Sequence, residues 1–208
     1  MILAAVYNVF DAEELLPYSI ASVREVVDKV IVVYQKISNL GEEHPNPNFE
    51  SFIKSLEADQ FVLYEPQLNK NPLNAERNER AKRAIGVKRA MEIGCSHFVL
   101  MDCDEFYEKE QFLYAKQKIQ ELNCDSSACQ MNTYYKNPKY KIVPEEKYYV
   151  PFINKLEKGV TKFANFRNYP VDSDPSRKTA PFENFYKFSR DELIMHHYTM
   201  VRKNMMLK

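Results

Sequence analysis

Short runs of continuous apolar residues, separated by segments with helical spacing, constrain the fold of this chain most strongly. Residues 2–7, 30–33 and 61–64 are apolar along most of their length, as in strands that are covered on both faces. Apolar residues recur at helical spacing within residues 13–27, and a second helix is predicted near residues 49–58. This βαβα alternation predicts an α/β fold with a parallel sheet.

The next repeat of the pattern ends in acidic residues. Asn74 is predicted to cap a long helix that runs to about Ile93, and Gly94 is predicted to end it. The apolar run that follows, residues 97–101, leads directly into the sequence Asp-Cys-Asp-Glu at residues 102–105. Because ligands of open α/β sheets bind beyond the carboxyl ends of the strands, we expect a site at these acids.

The pattern changes in the second half of the chain, after a predicted helix over about residues 108–122. Residues 129–135 and 148–152 are rich in aromatic residues and alternate as antiparallel strands do. Residues 165–184 contain three prolines and predict a long irregular loop, and loops of that length are often functional. The central sheet is therefore predicted to be mixed.

Length and composition fit a single domain. The chain has 208 residues, of which 45% are hydrophobic, and no run is long and apolar enough to span a membrane. The apolar start has neither the basic leader nor the length of a signal peptide, so we expect a buried first strand and a cytoplasmic protein. One domain is expected over residues 1–208, and the amphipathic end at residues 205–208 is compatible with a natural chain that continues further.

The balance of charges argues against nucleic acid as a partner, and the pattern of cysteines argues against disulfide bonds. The chain has 29 basic and 29 acidic residues, so no net field attracts a polyanion, and nucleic acid is not an expected partner. The four cysteines form no C-x-x-C pair, and we expect them to be free thiols.

Asp102 and Asp104 form a short acidic motif that can bind a cation. In an extended segment their side chains point to the same side, with Cβ atoms about 7 Å apart. Such carboxylates, together with phosphates, are the ligands that Mg²⁺ or Mn²⁺ prefers. An isolated Asp-x-Asp pattern more often solvates a loop or caps a helix. Its position here, after an apolar strand and a basic helix, favours the metal interpretation.

At these residues the chain resembles the A-type glycosyltransferases, in particular the large family-two group of inverting enzymes. Residues 83–105, RAIGVKRAMEIGCSHFVLMDCDE, resemble the helix and strand that lead into the Asp-x-Asp motif of that family. Tyr7-Asn8 is similar to its first-strand Tyr-Asn, and residues 29–34 to its second strand. Residues 195–202 resemble the late His-Tyr segment that returns to the metal and diphosphate.

The resemblance implies a nucleotide-diphospho-sugar transferase (GT-A) fold, with residues 1–105 binding a nucleotide sugar and residues 106–208 forming the acceptor side. It implies a glycosyltransferase that depends on Mn²⁺ or Mg²⁺ and transfers a hexose with inversion. The expected donor is a UDP-hexose or another nucleoside-diphosphate sugar. The expected acceptor is a glycan, a lipid-linked glycan or another hydroxyl compound, which could bring the protein to a membrane surface.

Six residues are expected to bind the donor. They are Tyr7, Asn8, Gln35, Arg83, Asp102 and Asp104. Gln35 replaces part of an acidic pair that the family usually carries after its second strand, and it could hydrogen-bond the edge of a uracil. For Arg83, phosphate contact and a surface salt bridge with Glu79 are both open.

Two adjacent histidines are candidates for a further metal ligand. If they lie on a strand, His196 and His197 point to opposite faces, so only one can reach a cation held by Asp102 and Asp104. Imidazole suits Mn²⁺. His197 is favoured for its place directly before Tyr198, and His196 remains open.

An inverting transfer requires a general base near the acceptor hydroxyl. Glu183 lies among apolar residues that could raise its pKa, and Asp174 lies in a turn-like Asp-Pro-Ser-Arg stretch. The sequence does not rank these two candidates, and either could be structural. Arg177 and Lys178, from the same predicted loop, could assist the leaving diphosphate or be ordinary loop charges.

Two other functions compete with a glycosyltransferase. A sugar nucleotidyltransferase would share the sheet but should carry a glycine-rich basic loop after the first strand. Residues 8–11, Asn-Val-Phe-Asp, contain no glycine there. A non-catalytic carbohydrate-binding or scaffold protein with the same fold is the third possibility.

Overall fold

The structure is a computed structural model that describes residues 1–68, 73–157, 163, 168–179 and 183–202. Its elements alternate between strand and helix in the first half and are mostly strands in the second. The strands are β1 (Leu3–Val9), β2 (Lys29–Tyr34), β3 (Gln60–Leu63), β4 (His97–Asp102), β5 (Glu105–Tyr107), β6 (Ser126–Tyr135), β7 (Tyr149–Lys155), β8 (Phe185–Lys187) and β9 (Ile194–Met200). The helices are α1 (Leu16–Val23), α2 (Phe49–Lys54), α3 (Asn74–Glu92) and α4 (Lys109–Leu122).

The strands of the described residues form one mixed sheet. Its order is β3-β2-β1-β4-β7-β6-β9-β5, and β8 pairs with β6 outside this path. The strands β1 to β4 pair in parallel, β7 is antiparallel to β4 and β6, and β9 is parallel to β6 but antiparallel to β5. The predicted fold class, an α/β fold with a mixed central sheet, is confirmed.

The parallel half has an apolar core on each face of the sheet because the central positions of its strands are apolar without interruption. Val30 and Val32 face a cluster that contains residues of α1 and α2, whereas Ile31 and Val33 face α3. All four are fully buried. Burying each such side chain contributes roughly 1.5–3 kcal/mol, which holds the strands of this half in register.

Gly86 lets α3 approach the sheet closely. A Cβ atom at this position would lie 2.4 Å from Val6 Cγ1 and 2.8 Å from Val33 Cγ2, so a side chain would collide with two strands. Because α3 returns from the carboxyl edge of the sheet to the start of β4, residues one turn before Gly86 lie nearer that edge. This close packing brings Lys82 and Arg83 to the carboxyl edge.

Most predicted elements are present, with differences at their ends. The helix predicted within residues 13–27 is shorter, as α1 begins at Leu16 with a proline in its first turn. Asn74 does not cap α3; it is the first helical residue, and its amide donates a hydrogen bond to the carbonyl of Gln67. Gly94, with φ +81°, follows α3 as predicted.

The second half contains strands that the sequence did not predict. The three-residue strand β5 follows the acidic motif at once and pairs with β9. The predicted loop at residues 165–184 lies partly outside the described residues, and its described part is irregular. All four cysteines are buried free thiols, as expected. No helix in the described parts of the chain combines the length and apolarity needed to cross a bilayer.

Candidate functional site

Several predicted site residues meet at the carboxyl edge of the parallel strands. Asp102 is the last residue of β4 and lies beside Asn8 of β1 in the sheet. Gln35 directly follows β2, and its backbone N–H donates to the carbonyl of Val9 at 3.2 Å. Three neighbouring strands thus deliver polar side chains to one edge, as the topology of parallel strands requires.

Asp102 is paired with two buried arginines. Its carboxylate accepts a hydrogen bond from Arg177 Nη2 at 2.5 Å, and Arg83 Nη2 lies 3.4 Å away. The two arginine side chains are only 4% and 1% exposed. Burial alone would raise the pKa of Asp102, but the two guanidinium groups outweigh it and hold this pKa well below its usual range. Asp102 is therefore an anion that already has its counter-charges.

Glu105 completes this buried charge cluster. Arg177 Nη1 donates to Glu105 Oε2 at 3.1 Å, and the same oxygen accepts the backbone N–H of Asp102 at 3.0 Å. Burial and the neighbouring Asp102 raise the pKa of Glu105 against the opposing charge of Arg177. One guanidinium therefore joins both carboxylates of the turn after β4.

A chain of hydrogen bonds extends the cluster to Asp174. Arg83 donates to Glu79 at 2.7 Å, and the same Glu79 oxygen accepts the hydroxyl of Ser176 at 3.1 Å. Ser176 also donates its backbone N–H to Asp174 at 2.7 Å, and its hydroxyl hydrogen is shared between Glu79 and Asp174, whose Oδ2 lies 2.9 Å away. For Arg83, the salt bridge with Glu79 is thus present together with a contact to Asp102.

Asp104 lies in a different environment from Asp102. Its Oδ2 accepts a hydrogen bond from Arg202 Nη2 at 2.7 Å, and its Oδ1 lies 3.8 Å from His197 Nε2. The pairing of β5 with β9 produces this contact, because it sets His197 opposite Glu105, the residue after Asp104. The backbone N–H of Tyr198 also donates to the Asp104 carbonyl, at 2.8 Å.

The two histidines point to different surroundings, as predicted for neighbours on a strand. His196 Nδ1 shares a hydrogen bond of 2.7 Å with the Tyr134 hydroxyl, and burial lowers its pKa. His197 is the one that lies beside Asp104.

The residues present fit a metal site only in part. No group of three or more His, Cys, Asp or Glu side chains among the described residues is arranged to hold a metal ion. Asp102 fits a metal site poorly because its carboxylate already forms ion pairs with two arginines. Asp104 and His197 offer one carboxylate and one imidazole that face each other. Mg²⁺ and Mn²⁺ sites with few protein ligands, completed by substrate phosphates, are common, and this pair fits such a site.

The hydroxyl of Tyr7 is hydrogen-bonded within the fold. The side chain is fully buried, its hydroxyl bonds Ser19 Oγ at 3.0 Å, and Ser19 in turn donates to the carbonyl of Glu105 at 2.8 Å. Burial raises the pKa of Tyr7 strongly. The tyrosine ties β1 to α1 and β5, and Asn8 beside it lies at the edge. A contact of Tyr7 with the donor stays a prediction.

Three side chains at the edge carry buried polar atoms that lack a hydrogen-bond partner within the described residues. These atoms are Asn8 Oδ1, Gln35 Oε1, and the Nε and Nη1 atoms of Arg83. Buried polar groups are nearly always hydrogen-bonded, and leaving one unpaired costs about 1–3 kcal/mol. Unpaired buried atoms also occur elsewhere, for example at His44 and Ser173, but these four lie together at one edge, where a polar ligand could pair with them.

Lys82 is a further member of this edge that the sequence did not single out. Its Nζ lies 3.4 Å from the carbonyl of Val9, and its side chain is buried. Burial, with the positive charge of Arg83 nearby, lowers its pKa to about 8. The sequence did not distinguish Lys82, because α3 carries six basic residues and their order along the helix does not show which of them are buried.

The two candidate bases lie near opposite ends of the strands. Asp174 borders a cavity of 140 Å³ together with Asp102 and His197. Glu183 is exposed, and its backbone N–H donates to Asp125, the residue before β6, at 3.3 Å.

The pairing of the strands fixes the position of Glu183. Ser126, the first residue of β6, pairs with Asn154, which pairs with Phe98 near the start of β4. Glu183 therefore lies near the amino end of β4, whereas Asp102 ends that strand. The structure brings Asp174 to the site and does not bring Glu183.

Comparison with known proteins gives fold-level similarity. No known protein-family profile matches the chain, and no curated protein matches it in sequence. Among solved structures, S. aureus TarS 1-349 matches with a TM-score of 0.53 and 11% identity, over 96% of this chain and 61% of TarS 1-349. The same protein in complex with UDP-GlcNAc matches with a TM-score of 0.53 and 10% identity, over 100% and 61%.

These matches concern the fold, since the identity is low, and the chain spans 61% of the length of the TarS structures. They agree with the expected A-type glycosyltransferase architecture.

Proposed function

We propose that this chain is a glycosyltransferase that transfers a sugar from a UDP-sugar to a hydroxyl acceptor. The observation that carries the proposal is the group of unpaired buried polar atoms beside the acidic motif, on Asn8 near the end of β1, on Gln35 directly after β2 and on Arg83 of α3. The similarity in fold to TarS, solved with UDP-GlcNAc, supports a nucleotide sugar as the ligand that completes this edge.

The polar groups of the edge suit the parts of a uridine diphosphate. Gln35 Oε1 is a free acceptor, and the N3–H of uracil is a donor. Arg83 and Lys82 supply positive charge, and the two unpaired nitrogens of Arg83 can donate to phosphate oxygens. A bound diphosphate would also favour the charged form of Lys82.

Asp104 and His197 are the residues that would hold Mn²⁺ or Mg²⁺ together with the diphosphate. Such an ion, when bound, neutralises charge on the departing nucleoside diphosphate. In this proposal Asp102 is not a ligand: it organises Arg83 and Arg177 beside the donor.

Asp174 is the proposed general base. It borders the same cavity as Asp102 and His197, and the backbone N–H and the shared hydroxyl of Ser176 hold its carboxylate. It would accept the proton of the acceptor hydroxyl as that oxygen attacks the sugar, and one such displacement inverts the anomeric centre. Tyr148 and Tyr149 border the cavity too and can stack against a sugar ring of a glycan or lipid-linked acceptor.

Calorimetry of UDP and UDP-GlcNAc with and without Mn²⁺ tests the donor site. We expect binding that depends on Mn²⁺ and that Asp104→Asn weakens at least about tenfold, because one charged ligand is lost. Asp191→Asn, which removes an exposed carboxylate from the same half, is the matched control and should bind as wild type does. Glycan binding without any nucleotide binding would instead indicate a carbohydrate-binding scaffold.

The base is tested by comparing Asp174→Asn with Glu183→Gln in a transfer assay against a panel of hydroxyl acceptors. Loss of a general base typically costs about 10²–10⁴ in rate, so Asp174→Asn should lose kcat to this extent with donor affinity retained. Glu183→Gln should transfer at the wild-type rate. The reverse result would reject Asp174, and pyrophosphate release from UTP would indicate a nucleotidyltransferase.

A further inference from the structure

Arg202 forms an ion pair with Asp104 that the proposed function does not explain. Its Nη2 donates to Asp104 Oδ2 at 2.7 Å, and its Nη1 donates to the carbonyl of Asp11 at 2.9 Å. The side chain is 10% exposed, so this is a largely buried ion pair between residues 98 positions apart. A guanidinium thus sits on the carboxylate that a divalent cation would need.

The surroundings give this guanidinium room to move. Arg202 borders a cavity of 530 Å³ that is formed by residues 10–15 and 42–45. Nη2 also contacts Cys103 Sγ at 2.8 Å, so a pivot of the guanidinium away from Asp104 gives up this contact too, while the bond from Nη1 to the Asp11 carbonyl can persist. The Nε atom of Arg202 is buried without a hydrogen-bond partner in the described part of the chain, so the present position does not satisfy the group.

The cavity itself does not suit a phosphate. Its lining carries five carboxylates, which repel an anion. The place where Arg202 can meet an anion is therefore the side toward Asp104, where the diphosphate of the proposed donor would lie.

We propose that Arg202 is a positioning residue of the donor site. While no donor is bound, its Nη2 pairs with Asp104; when a cation binds Asp104, Nη2 moves to the diphosphate of the donor. The proposal rests on the proposed function. It makes cation and nucleotide binding cooperative, because a cation alone must displace an ion pair, whereas a cation and diphosphate together give the guanidinium a new partner.

Mn²⁺ titrations followed by the EPR signal of free Mn²⁺, without nucleotide, test the first part. Arg202→Gln is expected to bind Mn²⁺ about tenfold more tightly than wild type, a usual size for coupling between two sites. Arg202→Lys, which keeps the charge but has no forked guanidinium, should lie between the two. Arg24→Gln, which breaks an arginine–aspartate pair with Asp59, is the matched control and should bind as wild type does.

UDP titrations at saturating Mn²⁺ test the second part. Here Arg202→Gln is expected to bind UDP about tenfold more weakly, opposite in sign to its effect on Mn²⁺ alone. Unchanged Mn²⁺ affinity, or unchanged UDP affinity, in a folded Arg202→Gln protein would overturn the proposal. If wild type binds no UDP with Mn²⁺, the proposed function fails, while the nucleotide-free titrations still decide whether Arg202 competes with a cation for Asp104.

Discussion

Asp102 and Asp104 are two residues apart and chemically identical, yet their environments differ. Asp102 belongs to a closed cluster in which the side chains of Arg83, Arg177 and Glu105 are at most 4% exposed. Asp104 has one arginine partner, which borders a large cavity, and a histidine that is 25% exposed. The Asp102 side chain is itself 33% exposed and the Asp104 side chain only 5%, so the two aspartates differ in their charged partners rather than in their access to solvent. The difference teaches that two acids of one short motif can have different partners: two buried arginines pair with Asp102, and one arginine at the border of a cavity pairs with Asp104.

The largest expected effect comes from removing the arginine of the closed cluster. Arg177→Met leaves Glu105 and Asp102 without their shared counter-charge, and breaking a buried pair typically costs about 3–5 kcal/mol. Urea denaturation should show this loss in the free energy of unfolding. Arg202→Met, which removes the one arginine that pairs with Asp104, should lose less.

The control for this comparison is a lysine in an exposed pair. Lys88 lies 4.0 Å from Glu92 on the surface of α3 and is 72% exposed, so Lys88→Met should change stability by no more than about 0.5 kcal/mol. Equal losses for Arg177→Met and Arg202→Met would remove the distinction between the two aspartates.

A smaller effect is expected at the helix that carries Arg83 to Asp102. Gly86→Ala would improve helix propensity, but the new Cβ would collide with Val6 and Val33, and overpacking of this kind costs about 1–3 kcal/mol. Thermal unfolding should therefore show a lower Tm. A higher Tm would mean that α3 does not need its close approach to the sheet.

A pH dependence is expected from Lys82, and it is the smallest of these effects near neutral pH, where the ammonium is still charged. Its pKa of about 8 in the folded protein lies below its ordinary 10.5, because burial and Arg83 disfavour the charged ammonium. Between these two pH values the unfolded chain binds more protons, so the free energy of unfolding should rise with pH, by at most about 1.4 kcal/mol per pH unit.

Denaturation of wild type and Lys82→Met across that pH range measures the contribution. The difference between the two proteins should change with pH as described. A constant difference would show that Lys82 is as solvated as an ordinary surface lysine and does not belong to the buried edge.

The sequence predicted the parallel half of the fold well because the relevant signals are local. The strand β2 is apolar from Val30 to Tyr34, so its burial on both faces follows from five consecutive residues. The apolar centre of β4, the strand that ends at Asp102, is a local signal of the same kind. Gly94, which ends α3, is another signal that can be recognised from its neighbours in the sequence. The second half was harder: the acidic start of the three-residue β5 carries no pattern that predicts a strand.

The sequence by itself determined the fold class and the position of the acidic motif at a strand end, whereas the opposite directions of His196 and His197 followed only once the structure placed them on β9. Only the tertiary structure decided which charges meet. Arg177 and Arg202 reach Asp102 and Asp104 from 75 and 98 residues away. Apolar periodicity is set by neighbours along the chain, whereas the partner of a charge depends on how distant segments cross, and no local pattern encodes that.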